Sequence, residues 1–184
     1  MTTKTIAFLV ASEGIEQVEL TEPWQAVIDA GGTPKLLSPV AAGETVQAFH
    51  HLTAADTFTV DTTVAEANVA DYDGLVLPGG VANPDALRLD GAAVELVKEF
   101  TEAGKPIAAV CHASWTLIEA GVVRGKTLTS WPSLATDLKN AGAADWVDQE
   151  VFVCPANGWT LVSSRNPGDL PAFGRALVTE FGLA

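Results

Sequence analysis

Short apolar segments separated by turn residues predict the strands of this chain. Several are apolar at successive positions, which is typical of strands that are covered on both faces of a sheet. They lie at residues 5–10, 34–37, 74–77, 107–110 and 160–163, with a further β-rich stretch at 150–154. Residues 46–60 are also β-rich, but their polar and Gly-containing flanks favour a hairpin or an edge addition outside the parallel core.

Helical patterns lie between these segments. Two apolar stripes at helical spacing are formed by Ala93, Leu96, Val97 and Phe100, and by Leu170, Phe173, Leu177, Val178 and Phe181. A first helix is predicted within residues 18–30, where Pro23 implies a late start or a kink. The alternation predicts a doubly wound α/β domain, in which a mostly parallel sheet has helices on both faces. Ligands of such a domain bind beyond the carboxyl ends of the strands.

Composition and charge argue against several classes of function. With 184 residues, of which 48% are hydrophobic, the chain is expected to form one domain over residues 1–184. A formal net charge of −13 argues against binding to nucleic acid or to an anionic membrane. No apolar run approaches the roughly 20 residues that span a bilayer. No dinucleotide-binding or phosphate-binding loop motif is present, so no cofactor is expected.

The segment "PIAAVCHASW" places Cys111 where a strand gives way to a helix. At that point the helix N-terminus favours a thiolate, as at a nucleophile elbow. The alternative is that Cys111 is a small buried hydrophobic residue. Among the three histidines only His112 is a candidate base, because no histidine follows it to complete the usual Ser or Cys triads. Its orienting carboxylate must come from elsewhere in the fold.

Glycines after another strand suggest an oxyanion pocket. In "LPGGVANPD", Gly79 and Gly80 let the backbone approach a ligand and present N–H groups to it. An ordinary tight turn is the alternative interpretation. Asp85 is either the cap of a short helix or a partner for an imidazole.

Three glutamates follow the first strand at a spacing of three residues. Most acidic runs of this kind are solvated charges at the start of a helix, which is one interpretation of Glu13, Glu16 and Glu19. Glu16 is different if it turns inward toward Cys111. A carboxyl beside a thiol would then keep a proton, which would lower the pKa of the thiol and raise that of the acid.

Four segments together resemble one protein family. They are "FLVASEGIEQVEL", "DGLVLPGGVANPDALR", "GKPIAAVCHASWTLIEAGVVRGKTLTSWPSLATDLKNAGA" and "SSRNPGDLPAFGRAL". In this order they are similar to the ThiJ/PfpI superfamily, and specifically to its PfpI-like branch, also called intracellular protease I. The resemblance covers nearly the whole chain and is weakest over residues 40–72.

The resemblance implies a flavodoxin-like fold with a nucleophile elbow at Cys111. The family's buried acid, which hydrogen-bonds the sulfur, falls on Glu16, and its histidine falls on His112. The glycine N–H groups of the oxyanion pocket fall on Gly79 and Gly80. Each of these assignments is an expectation for the structure.

The resemblance also implies that the chain forms a homodimer or a higher homo-oligomer. In PfpI-like oligomers an acidic residue of a neighbouring subunit approaches the histidine, and here that residue falls on Asp85. The loop "VANPD" is one residue longer than the archaeal pattern and carries Asp in place of Glu. If the loop is displaced, the triad across the interface is incomplete.

Two functions follow from a reactive Cys111. The first is a cofactor-independent, cysteine-dependent enzyme of the glyoxalase, deglycase or hydrolase type, which acts on reactive carbonyls or their protein adducts. The second is a non-enzymatic sensor of oxidative stress, in which oxidation of Cys111 is the signal. Either function fits the cytoplasm, because Cys111 and Cys154 form no disulfide framework.

Three other residue types receive plainer interpretations. Cys154 is expected to be a structural thiol. His50 and His51 bind a metal only if further ligands lie near them, so no metal site is predicted. Trp115 lies one helical turn from Cys111 and is expected to form a wall of the pocket or a subunit contact.

Overall fold

A seven-stranded sheet lies at the centre of the computed structural model, which describes residues 3–183. Along the chain the strands are β1 (Thr5–Leu9), β2 (Glu13–Glu16), β3 (Thr33–Ser38), β4 (Thr45–His50), β5 (Thr53–Thr59), β6 (Thr62–Thr63), β7 (Gly74–Leu77), β8 (Ile107–Val110), β9 (Thr127–Leu128), β10 (Asp145–Trp146), β11 (Phe152–Cys154) and β12 (Leu161–Ser164). The central sheet has the order β11-β12-β8-β7-β1-β3-β6, and its neighbours are parallel except for β11 against β12. The predicted strands of the core are therefore confirmed.

The helices cover both faces of this sheet. They are α1 (Gln17–Asp29), α2 (Ala82–Leu87), α3 (Gly91–Glu102), α4 (Ser114–Glu119), α5 (Ala135–Asn140) and α6 (Leu170–Glu180). The first helix begins at Gln17 with Pro23 inside it, so the proline does not delay its start. Within residues 3–183, no helix has the length and apolar character needed to cross a membrane.

Alternate residues of β1 face two separate cores, as the period of a strand requires. Ile6 and Phe8 are fully buried in the cluster that contains Leu20 of α1 and Phe173 of α6. Ala7 and Leu9 are fully buried in the other cluster, which contains side chains of α3 and α4. This arrangement confirms the predicted flavodoxin-like α/β fold.

The β-rich segment predicted as a hairpin forms β4 and β5. The two strands pair antiparallel, and β4 also pairs with β2 in a separate three-stranded sheet. The tip of the hairpin, at His51 and Leu52, reaches the mouth of the cavity described below. The prediction that this segment lies outside the parallel core is confirmed.

The carboxyl ends of β1, β7 and β8 meet at the middle of the sheet. From β1 the chain continues to β3 on one side, whereas β7 continues to β8 on the other side. This is the topological switch point, where a crevice forms between loops that leave in opposite directions. Gly79 and Gly80 follow β7 after Pro78, and Cys111 directly follows β8, so the two loops are neighbours.

The start of α3 provides a stability prediction. The Asp90 carboxylate accepts a hydrogen bond from the Ala93 N–H at 2.8 Å and so caps this helix. We expect Asp90→Ala to lower the free energy of unfolding by about 1 kcal/mol, measured by urea denaturation. Asp90→Asn keeps an acceptor oxygen and is the matched control, with a loss of only a few tenths of a kcal/mol. Equal losses for the two variants would show that the cap contributes nothing.

Candidate active site

Cys111 lies at a sharp turn between β8 and α4. Its φ of 62° is in the left-handed region, which a non-glycine residue adopts at a cost of about 1–2 kcal/mol. The residue begins a 3₁₀ turn, Cys111–Ala113, that leads directly into α4. Its carbonyl accepts a hydrogen bond from the Trp131 N–H at 3.1 Å. The predicted elbow is therefore confirmed, and its side chain is 6% exposed at the base of a cavity.

The acid beside the sulfur is Glu19, which belongs to the first turn of α1. Its side chain is fully buried. A Cβ atom placed on Gly79 would lie 2.3 Å from Glu19 Oε2 and 2.7 Å from Cys111 Cβ, so these three residues are in close contact. Neither carboxyl oxygen makes a hydrogen bond of standard geometry within the described residues. The thiol of Cys111 is the polar side chain that faces it.

Glu16 does not occupy this position, contrary to the expectation from the sequence. It is the last residue of β2 and is half-buried. Its Oε2 accepts a hydrogen bond from the His51 N–H at 3.0 Å, which ties the hairpin tip to the cavity. Because α1 begins at Gln17, the inward face of the helix starts at Glu19.

One sequence signal points to Glu19. Glu19, Pro23 and Val27 are spaced by four residues, and all three are buried on one face of α1. A glutamate in line with an apolar stripe is unusual, because an ionised carboxylate is rarely buried without a partner. Glu16 also stands four residues before a buried residue, Leu20, so the same signal applies to both glutamates, and the start of α1 at Gln17 decides between them.

The environment changes the pKa of both members of the pair. Burial raises the pKa of Glu19 to about 8, and the charge of Glu16 acts in the same direction. Burial, followed by the charge of Glu19, raises the pKa of the Cys111 thiol, although the Gly80 and His112 N–H groups oppose this rise. The expected lowering of the thiol pKa is therefore wrong. Near neutral pH the pair does not carry two negative charges.

Gly79 and Gly80 present their backbone to the same point. Gly80 has a φ of +85°, and a Cβ atom there would lie 2.2 Å from the Gly14 carbonyl oxygen, so only glycine fits. Its N–H faces the sulfur, and the N–H groups of both glycines face the Glu19 carboxyl. The structure thus brings together the predicted glycine turn and Cys111.

Asn83 holds this turn in place, although the sequence analysis did not identify it. The side chain is fully buried. Its Nδ2 donates to the carbonyls of Pro78 at 2.9 Å and Gly79 at 3.1 Å, and its Oδ1 accepts from the Ala11 N–H at 2.7 Å. With the carbonyls turned toward Asn83, the glycine N–H groups point the other way, toward Glu19 and Cys111.

His112 lies against the sulfur on the other side. Its Nδ1 is 3.1 Å from Cys111 Sγ. The ring is stacked on Trp131 at a centroid distance of 5.5 Å, and Trp115 contacts its edge at 5.2 Å. Burial lowers the pKa of His112, so the ring is neutral and can accept a proton. In the part of the chain described, no carboxylate hydrogen-bonds to this ring.

The cavity above these groups has a volume of about 890 Å³. Its lining includes the predicted residues Asp85 and Trp115, and also Glu16 and His51. Trp115 is held by a hydrogen bond from its Nε1 to Asp137 at 3.0 Å. The site is thus a deep pocket with aromatic walls, and the nucleophile and its acid lie at its base.

The remaining candidates lie elsewhere. Cys154 is buried at the end of β11, where its Sγ accepts the Thr127 N–H at 3.4 Å, as expected of a structural thiol. His50 ends β4 opposite Thr53. Among residues 3–183, no three His, Cys, Asp or Glu side chains are arranged to hold a metal ion.

The buried acid makes stability depend on pH. A carboxyl whose pKa rises on folding stabilises the protein fully below its unfolded pKa, and this contribution is lost as the pH rises toward about 8. We expect stability to fall by a few kcal/mol between pH 5 and pH 8.5, measured by urea denaturation. Glu19→Gln has no proton to lose and should show a flatter profile. Parallel profiles for the two proteins would contradict a protonated Glu19.

Known proteins match this chain over nearly its full length. The model of the DJ-1/PfpI family matches residues 4–180. Protein/nucleic acid deglycase 2 of Escherichia coli is 38% identical over 179 residues, which cover 97% of this chain and 98% of that protein. General stress protein 18 of Bacillus subtilis is 39% identical over 160 residues, 87% of this chain and 88% of that protein. The crystal structure of Drosophila melanogaster DJ-1beta has a TM-score of 0.82 at 28% identity, and the match covers 98% of this chain and 92% of that one.

Proposed function

Because the chain belongs to the DJ-1/PfpI family, we propose that it is a cysteine-dependent enzyme that removes reactive carbonyls, such as methylglyoxal, or their early adducts on proteins. The observation that carries the proposal is the contact of the Cys111 thiol with the buried Glu19 carboxyl beneath an open cavity. The name of the deglycase relative supports the same chemistry, and the name of the general stress protein supports a role under stress.

Proton transfer to Glu19 starts the proposed reaction. A carboxylate with a pKa of about 8 is basic enough to take the proton of the thiol as the sulfur attacks an aldehyde. The sulfur–carbon bond forms while the electron pair of the carbonyl moves to its oxygen. That oxygen is held by the N–H groups of Gly79 and Gly80 and then protonated, which gives a hemithioacetal.

For methylglyoxal, His112 is placed to move the next proton. The proton of the former aldehyde carbon passes by way of the imidazole to the neighbouring ketone carbon, and the hydroxyl proton of the hemithioacetal passes to the ketone oxygen, which converts the hemithioacetal to a thioester of lactate. Water then cleaves the thioester, and the thiol is restored. The sum is methylglyoxal plus water giving lactate, so no external oxidant or reductant is needed.

The test is consumption of methylglyoxal with matching formation of lactate by the purified protein. Protein whose thiols have been blocked with iodoacetamide is the control and should lose the activity. If the untreated protein consumes neither methylglyoxal nor its adduct with a simple thiol, the proposed enzyme function is wrong.

We further propose that Asp85 of the partner subunit orients His112 in a homo-oligomer. The ring of His112 lacks a carboxylate partner within the described residues of one chain, and Asp85 is exposed at the mouth of the cavity. Mixing inactive Asp85→Asn and Cys111→Ala proteins tests this arrangement. Recovered activity after subunit exchange supports a shared site, whereas a monomer by light scattering contradicts it.

The contact between the Cys111 thiol and the Glu19 carboxyl also supports a second candidate function, a sensor of peroxide. Attack of the Cys111 sulfur on peroxide gives a sulfenic acid and water, and a second peroxide gives a sulfinic acid. A protonated Glu19 can donate a hydrogen bond to a sulfinate oxygen. Mass spectrometry should then find 32 Da added at Cys111 in the parent and less in Glu19→Gln. An unmodified Cys111 after peroxide treatment excludes this function.

A further inference from the structure

The lining of the cavity carries charges of one sign. Besides Glu19, the acidic side chains Glu13, Glu16 and Asp85 line it, and none of its described lining residues is lysine or arginine. The net charge of the whole chain is −13, so the surrounding field has the same sign. Low-dielectric walls strengthen such a field, because charges inside a cleft are screened less than charges on an open surface.

No lysine or arginine among the described lining residues offsets these charges. The imidazole of His112 is neutral, because its burial lowers its pKa. The guanidinium of Arg88 lies 5.9 Å from the centre of the Trp115 ring, but it is paired with Glu119 at 3.2 Å and does not line the cavity. A charged ligand in the cavity therefore experiences most of the electrostatic field of these carboxylates.

One of these carboxylates has an oxygen available to a ligand. Glu16 uses Oε2 to accept the His51 N–H, and its Oε1 makes no hydrogen bond within residues 3–183. Deeper in the cavity, the fully buried Glu19 carboxyl also lacks a partner of standard geometry within residues 3–183, and it faces the thiol. The free oxygen of Glu16 suits a ligand with N–H donors.

The aromatic walls favour the same kind of ligand. The faces of tryptophan rings attract cations, and guanidinium groups stack on them. Trp131 stacks on His112 and is 37% exposed at the mouth of the cavity.

We propose that this cavity discriminates among carbonyl compounds by charge, and that it favours those with a positive charge over those with a carboxylate or a phosphate. Glu13, Glu16 and Asp85 are the selecting residues. The substrate class rests on the proposed carbonyl chemistry, whereas the selection by charge rests on the cavity alone.

The selection can be measured without turnover, through the reaction of Cys111 with charged thiol reagents. A methanethiosulfonate reagent transfers its charged thioalkyl group to the sulfur of Cys111. The product is a mixed disulfide, and methanesulfinate is released. One reagent carries a trimethylammonium group and the other a sulfonate group. Each rate is divided by the rate of the same reagent with 2-mercaptoethanol, and Cys154→Ala protein is used so that Cys111 is the thiol measured.

We expect the cationic reagent to be favoured by at least about tenfold at low salt and by much less at 0.5 M NaCl. Glu13→Gln with Glu16→Gln should lower this preference several-fold. Glu22→Gln lies on the exposed side of α1, outside this cavity, and is the matched control for net charge. If the double variant does not fold, judged by circular dichroism, Asp85→Asn takes its place.

The outcomes separate this inference from the proposed function. Equal normalised rates for the two reagents, or a preference unchanged in both cavity variants, would overturn the selection by charge and leave the methylglyoxal test unaffected. If the protein shows the charge preference but consumes no methylglyoxal, the selection by charge is supported and the proposed enzyme function is wrong.

Discussion

Cys111→Ala is expected to lower the rate of methylglyoxal consumption by at least about 10³-fold, because removal of a nucleophile removes the covalent pathway. The substitution takes away only the sulfur of a side chain that is 6% exposed, and it keeps a Cβ atom at the same φ of 62°. The fold should therefore persist, as near-ultraviolet circular dichroism can verify. Lactate formation, measured enzymatically, is the readout.

Cys154→Ala is the matched control for this variant. It removes the second thiol, which is buried at the end of β11 and does not line the cavity. Its activity should stay within about twofold of the parent, with a stability loss of about 1 kcal/mol for the lost sulfur contacts. Equal activities of Cys111→Ala and the parent would show that Cys111 is not the nucleophile.

Glu19→Gln is expected to slow the reaction by about 100-fold at neutral pH, because a general base contributes roughly 10²–10⁴-fold. The amide has nearly the size of the carboxyl, so the contacts with Gly79 and Cys111 are kept. It cannot take the proton of the thiol, however. The parent should show a rate that rises through pH 8, where Glu19 loses its proton, and the variant should lack this ionisation.

The pH profile separates proton transfer from a packing role. The rate at which the neutral reagent iodoacetamide alkylates Cys111 is measured from pH 6 to 10 in the parent and in Glu19→Gln. Glu16→Gln is the informative comparison, because it removes the acid assigned from the sequence and should keep the ionisation near pH 8. Loss of that ionisation in Glu16→Gln, with its retention in Glu19→Gln, would reverse the assignment.

The sequence by itself determined most of the architecture. Apolar strands and helical stripes are local patterns, and they identified the strands β1, β3, β7, β8, β11 and β12 and the helices α1, α3, α4 and α6, whereas α5 was not predicted. The position of Cys111 at an elbow was equally predictable, because it depends only on a strand that ends directly before a helix. The matches with the DJ-1/PfpI family confirm the resemblance seen in the same motifs.

Only the tertiary structure decided which groups surround the sulfur. Glu13, Glu16 and Glu19 have similar neighbours in sequence, and the residue at which α1 begins determines which of them faces inward. Asn83 acts through backbone carbonyls, which no side-chain motif reports. The raised pKa of Cys111 and Glu19 likewise arises from burial by distant segments. Local sequence specifies a strand or an elbow, whereas burial and contact depend on how the segments pack together.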